Sequence, residues 1–285
     1  MLCTLPVLGF FLLWYAINVM YNDYNKTVLK VLDLPWTVAT LQLGVGVLLY
    51  VAPLWLSGLR AVPRLTLQNA YTVAPVAIIH GAGQCVTVLS LGAGSLAFVN
   101  VVKALEPLFN VAFGAIFMND ILPLKVNMCL LPVIGGVALA SAADLSFTWD
   151  CFAYAMGSNL AFSMRGVLSK KSMGTPQGEN MDVGNTFAVM TAIAFLATLP
   201  VALAVEGPSV ASEWTKAVEK GVYSERELVL RIIGSGLTFY LYNEVCCPLA
   251  IRRAPNHAWP NTCERRLNLL GPDCRAYVPP PNSRS

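Results

Sequence analysis

Two cationic side chains lie inside apolar stretches of the sequence, where a charge is costly. Lys103 lies in the sequence VVKALEP (101–107), and Arg165 directly follows NLAFSM (159–164). A Lys or Arg near the centre of a membrane helix costs at least ~2.5–3.5 kcal/mol on insertion scales, so it is a functional candidate by default. Arg binds phosphate as a planar fork and Lys binds it as a point charge. The two cations therefore predict a site for a small anionic ligand.

Each cation also has a structural explanation that needs no ligand. Lys103 and Glu106 are three residues apart, so on one helix they can form an ion pair that satisfies both charges. Pro107 argues against this explanation, because it loosens the helix and frees backbone groups that usually line a cavity. Arg165 stands near the end of its apolar stretch, from which its side chain can reach the lipid headgroups. The sequence leaves both explanations open.

Polar residues at helical spacing add further candidates. His80, Gln84 and Thr87 are separated by steps of four and three, which place all three on one face of a helix. Such a face can bind a substrate or can bond to a neighbouring helix, and the packing role is the more common one. The same alternatives apply to Tyr240, Tyr242 and Asn243, which precede Glu244.

Residue sets typical of enzymes are missing from the sequence. His80 and His257 are the only histidines, and neither belongs to a Ser-His-Asp arrangement that the sequence would indicate. The chain has no GxxxxGK[ST] phosphate loop and no CxxC pair among its eight cysteines. We therefore expect a protein that is not an enzyme, with no catalytic residue, no cofactor and no metal.

The composition indicates the elements that must position these side chains. Of 285 residues, 56% are hydrophobic and 12% are charged, against about 25% charged in soluble domains. The segments without Asp, Glu, Lys or Arg are 1–22, 34–59, 65–102, 126–143, 151–164 and 183–205. Because a bilayer core takes about 20 apolar residues per helix, these segments predict an all-α polytopic membrane protein. The net charge of +3 does not favour nucleic-acid binding.

Hydropathy and breaker residues predict eight clear transmembrane helices. We place them at about 4–24, 35–58, 70–90, 95–118, 124–142, 150–171, 183–205 and 228–249. A glycine-rich link near 92–95 separates the third helix from the fourth. The charged segment 206–231 could form a surface helix. The first residues lack the pattern of a cleaved signal peptide, so they are expected to form a retained helix.

Several motifs resemble those of the plastid phosphate translocators. They are KALEPLFN (103–110), LSFTW (145–149), AMGSN (155–159), Arg165 with SKKSM (169–173), and FYLYNE (239–244). The resemblance covers about residues 10–249 and is closest to the triose-phosphate branch of that family. It implies a drug/metabolite transporter fold of about ten helices in two inverted repeats, with a site near the middle of the membrane.

The resemblance also implies a function and a set of site residues. Such proteins exchange inorganic phosphate for a phosphorylated three-carbon compound across the inner membrane of the plastid envelope. By motif, Lys103 and Arg165 would bind phosphate and Phe162 would pack beside them. Gln84, Thr87 and Tyr242 would contact the organic part. The triose-phosphate branch has histidine where this chain has Gln84, and glutamine keeps a donor and an acceptor but cannot titrate.

The tail departs from the family pattern. The family has a Lys-Arg pair in its ninth helix, and counting from Tyr242 places that pair on Arg265 and Arg266. Counting from His257 places it one residue earlier, and Pro260 interrupts the helix. We therefore expect a translocator domain at 1–249, with a first repeat at 1–142 and an incomplete second repeat at 150–249. A basic, proline-rich tail at 250–285 would keep a vestigial ninth segment.

Three functions follow from the sequence. The first is an antiporter that exchanges phosphate for triose phosphate or a related compound. The second is a non-transporting, truncated product of such a gene, which the tail favours. The third is a nucleotide-sugar or other organic-substrate transporter of the same superfamily in the Golgi or endoplasmic reticulum. The expected partners are phosphate, small phosphorylated organic anions and membrane lipid, without nucleic acid, and a homodimer is left open.

Overall fold

The described part of the chain folds into a bundle of packed helices. A computed structural model describes residues 4–119, 121, 123–144, 147–173 and 178–253. Its helices are α1 (Thr4–Val31), α2 (Pro35–Val45), α3 (Ala52–Leu56), α4 (Leu67–Ala93), α5 (Leu96–Lys103), α6 (Glu106–Met118), α7 (Leu124–Met128), α8 (Leu131–Ala143), α9 (Trp149–Met173), α10 (Val183–Val205), α11 (Val210–Glu219) and α12 (Glu225–Arg253). A π-helical segment, Gly46–Val51, joins α2 to α3, and a 3-10 turn, Gly207–Ser209, precedes α11.

The predicted fold class is confirmed. Each predicted helix coincides with a helix or a helix pair, and the surface helix expected within 206–231 is α11. Among the described residues, four segments are long and apolar enough to cross a membrane, namely Pro35–Leu56, Leu67–Ala93, Leu96–Met118 and Val183–Val205. The remaining long helices, α1, α9 and α12, contain 28, 25 and 29 residues. The number of membrane crossings stays a prediction.

Side-chain caps fix where several of the helices begin. The hydroxyl of Thr66 accepts the N–H of Asn69 at the start of α4, and the hydroxyl of Ser95 accepts that of Phe98 at the start of α5. The carboxylate of Asp182 accepts the N–H of Asn185 at the start of α10. Each cap satisfies a backbone donor that the first turn of a helix leaves without a partner. The link between α4 and α5 consists of Gly94 and Ser95, which agrees with the glycine-rich link predicted near 92–95.

Helix α4 occupies the centre of the bundle. It packs mainly against α9 and α10 and also touches α2, while α1 packs along α12. Glycines allow α2 and the π-helical segment to approach α12 closely: a Cβ at Gly236 would lie 2.7 Å from the Cβ of Val45, and one at Gly46 would lie 2.7 Å from the Cβ of Tyr240. Small residues serve this purpose at helix contacts within membranes, because they let backbones come together.

Contacts between connecting segments define two ends of the bundle. At the end that we call the Arg60 end, the backbone of Arg64 pairs with that of Glu179 in an isolated bridge. At the opposite end, the Glu206 end, the carboxylate of Glu206 accepts the backbone N–H groups of Trp36 and Thr37 at 3.0 and 2.8 Å. Both sets of contacts join the predicted first repeat to the predicted second repeat.

The division into repeats at 1–142 and 150–249 stays a prediction. Helix α12 continues to Arg253, a few residues past the predicted start of the tail at 250. Residues 254–285, which include Arg265, Arg266 and the expected ninth segment, lie outside the described residues.

Candidate functional site

Lys103 lies at a break in the backbone that α9 stabilises. It is the last residue of α5, and α6 begins at Glu106 with Pro107 in its first turn. Asn159 donates from Nδ2 to the carbonyl oxygen of Val102 at 2.8 Å, and the Ser163 hydroxyl donates to that of Glu106 at 3.2 Å. Side chains of a neighbouring helix therefore satisfy backbone oxygens at the break, as membrane depth demands. The predicted loosening at Pro107 is confirmed.

Lys103 and Arg165 meet at one aromatic ring. The Lys103 ammonium lies 5.4 Å from the centroid of the Phe162 ring, and the Arg165 guanidinium lies 4.9 Å from it. Both distances are within the range of a cation–π attraction. Lys103 forms no ion pair with Glu106 in the described part of the chain, where the ion pairs are Arg60–Glu244, Arg64–Glu179 and Lys216–Glu213. Glu106 therefore makes no contact ion pair with Lys103, although its negative charge attracts the ammonium.

His80 of α4 contacts one of these cations, Arg165. Its Nδ1 is 2.9 Å from Nη1 of Arg165, and the side chain is completely buried. The imidazole is enclosed by the rings of Phe162, Phe187 and Phe239, with centroids at 6.3, 5.6 and 6.1 Å. The contact between His80 and Arg165 therefore joins α4 to α9 in the middle of the bundle.

Gln84 belongs to a second, neutral polar cluster one turn further along α4. Its Nε2 donates to the hydroxyl of Tyr21 at 3.0 Å and to Oε1 of Gln42 at 2.7 Å. Asn25 also donates to the Tyr21 hydroxyl at 3.0 Å. The Tyr21 ring in turn lies 5.3 Å from that of Tyr242. Gln84 and Tyr242 are thus connected through Tyr21, on the side of α4 that faces α1 and α2.

Thr87 is engaged in helix packing. Its hydroxyl donates to the carbonyl oxygen of Gly83 at 2.8 Å and lies 2.9 Å from the Ser158 hydroxyl of α9. It shares a helix face with His80 and Gln84 as the spacing predicts, and all three side chains are buried. A substrate that uses the Thr87 hydroxyl would have to compete with Ser158.

The structure thus brings together some predicted residues and adds others. Lys103, Phe162 and Arg165 form one cluster, which we call the cation cluster. Sequence reasoning missed four polar residues that surround the predicted ones: Tyr21, Asn25, Gln42 and Asn159. The spacing of four between Tyr21 and Asn25 was an available signal, since it places both on one face of α1. Arg265 and Arg266 lie outside the described residues.

Long apolar helices with partly buried cations among them define a polytopic helical membrane protein. The chain belongs to the Triose-phosphate Transporter family, whose sequence model matches residues 5–264. This is a family of transporters, which supports the expectation that the chain is not an enzyme. The family resemblance inferred from the motifs is therefore confirmed.

Named relatives cover several substrates. The chain is 32% identical over 267 residues to phosphoenolpyruvate/phosphate translocator 1, chloroplastic, of Oryza sativa subsp. japonica, covering 94% of this chain and 64% of the relative. It is 34% identical over 237 residues to glucose-6-phosphate/phosphate translocator 2, chloroplastic, of Arabidopsis thaliana, covering 83% and 59%. It is 34% identical over 264 residues to the triose phosphate/phosphate translocator, chloroplastic, of Solanum tuberosum, covering 92% and 62%.

All three relatives are named as phosphate translocators, but their names give different organic substrates. The chain spans about three fifths of their length. Because the identities lie between 32% and 34%, they do not single out one organic substrate. The closeness to the triose-phosphate branch stays a prediction.

Proposed function

We propose that this protein is an antiporter that exchanges inorganic phosphate for triose phosphate or a related phosphorylated three-carbon compound. The cation cluster carries the proposal, because Lys103 and Arg165 approach one ring, Phe162, among apolar helices. The names of the relatives, which are chloroplastic phosphate translocators, support phosphate as one substrate. They also support the inner membrane of the plastid envelope as its location.

The cation cluster has the chemistry that a phosphate dianion requires. The ammonium and the guanidinium each make charge-assisted hydrogen bonds, and the guanidinium can make two in parallel. Away from water these bonds strengthen, which helps to replace the hydration shell that the anion loses. Arg265 or Arg266 is proposed to supply a third cation from the tail.

Gln84, Thr87 and Tyr242 are proposed to contact the organic part. Gln84 and Tyr242 lie on either side of Tyr21, so a substrate that reaches either of them meets the same neutral cluster. Glutamine binds hydroxyl and carboxylate groups without changing charge. This cluster is therefore suited to distinguish organic substrates, while the cation cluster binds the phosphate that they share.

Mutual repulsion between the cations accounts for obligate exchange. In an empty site, Lys103 and Arg165 lie at one ring, Phe162, and repel each other, while the charge of Glu106 offsets part of this repulsion. A bound anion cancels what remains of it. In inverted-repeat transporters the site opens to each side in turn as one repeat moves against the other. The loaded protein can therefore close around its site at a lower free energy than the empty one, so that return without an anion is slow.

Exchange in proteoliposomes tests the proposal. The purified chain is reconstituted into liposomes loaded with phosphate, and uptake of labelled phosphate from outside is measured. We expect Lys103→Gln and Arg165→Gln to reduce uptake by more than tenfold, as roughly expected when a buried charge that binds substrate is removed. Lys171→Gln is the matched control, because Lys171 is exposed in the last turn of α9. Uptake at the parent rate in Lys103→Gln would overturn the proposal.

The organic substrate is tested by competition. Unlabelled triose phosphate, phosphoenolpyruvate, glucose 6-phosphate and a nucleotide sugar are added outside the same liposomes. Triose phosphate is expected to inhibit phosphate uptake most strongly. Inhibition by the nucleotide sugar alone would instead support the third function that the sequence raised. Phosphate uptake into liposomes without internal phosphate, at the rate found with it, would contradict antiport.

A further inference from the structure

We propose that His80 is a positioning residue for phosphate binding, which holds the Arg165 guanidinium in place through a hydrogen bond accepted by its Nδ1. The inference rests on the proposed function and adds a residue to it. The two nitrogens, Nη1 of Arg165 and Nδ1 of His80, are 2.9 Å apart, which is an ordinary hydrogen-bond distance.

The chemistry of the two side chains fixes the direction of this bond. A guanidinium has only donors and stays charged in proteins. Nδ1 of His80 must therefore offer its lone pair, so the imidazole is neutral and carries its proton on Nε2. An imidazolium in this position would present an N–H and a positive charge to Arg165. Asparagine, which has an oxygen where histidine has Nδ1, could accept the same bond.

The surroundings of His80 make it a rigid support. Its ring is completely buried and lies between Phe162 of α9, Phe187 of α10 and Phe239 of α12. The ring of Phe239 is nearly parallel to the imidazole, with 18° between the planes, and that of Phe187 meets it at 64°. A side chain packed between rings from three helices keeps one rotamer, and its hydrogen bond to Arg165 therefore keeps one geometry.

The second ring nitrogen of His80, Nε2, contributes little to the position of Arg165. Nε2 of His80 is buried and has no hydrogen-bond partner among the described residues. An N–H that faces aromatic rings makes at most a weak contact with them. The part of His80 that matters is thus Nδ1 alone. If His80 only positions Arg165, a variant with an acceptor at the Nδ1 position alone should keep the phosphate affinity. If histidine itself is required, the same variant should lose it.

Three substitutions of His80 separate positioning from packing. His80→Asn keeps an acceptor near the Nδ1 position, His80→Gln moves its polar group towards the Nε2 position, and His80→Leu has none. The measured quantity is the apparent affinity for phosphate in phosphate–phosphate exchange by the full chain in liposomes, which needs no organic substrate. Ser90→Ala is the control, since Ser90 is another buried polar residue of α4 and lies away from the cation cluster.

We expect His80→Leu and His80→Gln to weaken the apparent phosphate affinity about tenfold, the size roughly expected for one lost hydrogen bond to a charged group. His80→Asn and Ser90→Ala should stay within about twofold of the parent, because His80→Asn keeps the acceptor. Maximal exchange rates should change less than affinities. Melting temperatures in detergent identify variants that fail to fold.

Two outcomes would overturn the inference. One is a His80→Leu variant with the parent's affinity, and the other is a folded His80→Asn variant as weak as His80→Gln. If His80→Leu does not fold, the comparison of Asn with Gln decides. A parent chain that exchanges no phosphate would count against the proposed function, whereas an active parent with an unaffected His80→Leu variant would count against the role of His80 alone.

Discussion

Arg60 and Glu244 form an ion pair that ties the loop after α3 to α12. Their side chains are 14% and 15% exposed, so water reaches the pair only in part. Burial alone lowers the pKa of Arg60, but the hydrogen bond from Arg60 to Glu244 and the charge of Glu244 outweigh it and raise that pKa. The pair therefore stays charged, and it holds the Arg60 end of the bundle closed between the two predicted repeats.

Breaking this pair should destabilise the protein. In Arg60→Gln, Glu244 remains largely buried without its counter-charge, and we expect a loss of about 1–3 kcal/mol in the free energy of unfolding. Thermal unfolding in detergent measures it as a lower melting temperature. The reversed pair, Arg60→Glu with Glu244→Arg, should recover part of the loss.

The pair between Arg64 and Glu179 provides the matched control. These side chains are 80% and 74% exposed, and the nitrogen and oxygen are 3.6 Å apart. An exposed pair of this kind contributes about 0–1 kcal/mol. Arg64→Gln should therefore melt close to the parent. Equal losses for Arg60→Gln and Arg64→Gln would show that the partial burial of the first pair has no energetic consequence.

The ring of Phe162 should matter for phosphate binding as well as for packing. Phe162→Leu keeps an apolar side chain but removes the π face that Lys103 and Arg165 share. With up to ~2 kcal/mol for each desolvated cation–π contact, we expect the apparent phosphate affinity to fall about tenfold. Phe162→Tyr should retain it. The control is Phe117→Leu in α6, where the aromatic side chain is 49% exposed, and a Phe162→Leu affinity equal to that of this control would refute the prediction.

A methyl group at Gly236 should force α2 and α12 apart. The added Cβ would lie 2.7 Å from the Cβ of Val45, and neither atom belongs to a flexible side-chain end. Overpacking of this kind costs about 1–3 kcal/mol, so Gly236→Ala should melt at a lower temperature.

Gly135 of α8 is the matched control for this substitution. A Cβ added there would meet nothing within 4 Å. Because alanine is the better helix former by about 0.5–1 kcal/mol, Gly135→Ala should melt at or above the parent temperature. If Gly236→Ala melts at the same temperature as Gly135→Ala, α2 and α12 have room for a methyl group between them, and the prediction is wrong.

Removal of the Glu206 carboxylate should weaken the Glu206 end. Its two oxygens accept separate N–H groups at the start of α2, where the helix dipole also favours a negative charge. We expect Glu206→Ala to cost about 1–2 kcal/mol, the usual size for a lost helix cap. Melting in detergent again provides the measurement. Glu219→Ala, at an exposed position at the end of α11, should have no effect, and a parent-like melting temperature for Glu206→Ala would show that water replaces the cap.

The sequence predicts the helices well, because the signals that define them are local. Helix α10 spans Val183–Val205, identical to the predicted segment, since Asp182 caps its start and apolar residues fill its length. The break before α6 also has a local sign, Pro107. The mixed acidic and basic residues of 206–231 predict a surface helix, which is α11.

The partners of the polar side chains could not be predicted in this way. Arg60 and Glu244 are 184 residues apart, and Gln84 is 63 residues from Tyr21. No period or motif within one helix records such a contact, because it depends on how helices pack. The same holds for Arg165: its place beside Phe162 follows from helical spacing, whereas its bond with His80 requires that α4 and α9 lie together.

The cap that Glu206 gives to α2 has a consequence for biogenesis. Until Glu206 docks, the backbone N–H groups of Trp36 and Thr37 have only lipid headgroups or water as hydrogen-bond acceptors. Their protein partner arrives when α10 has been synthesised and inserted. Final docking of α2 therefore depends on the end of α10, in the later half of the chain.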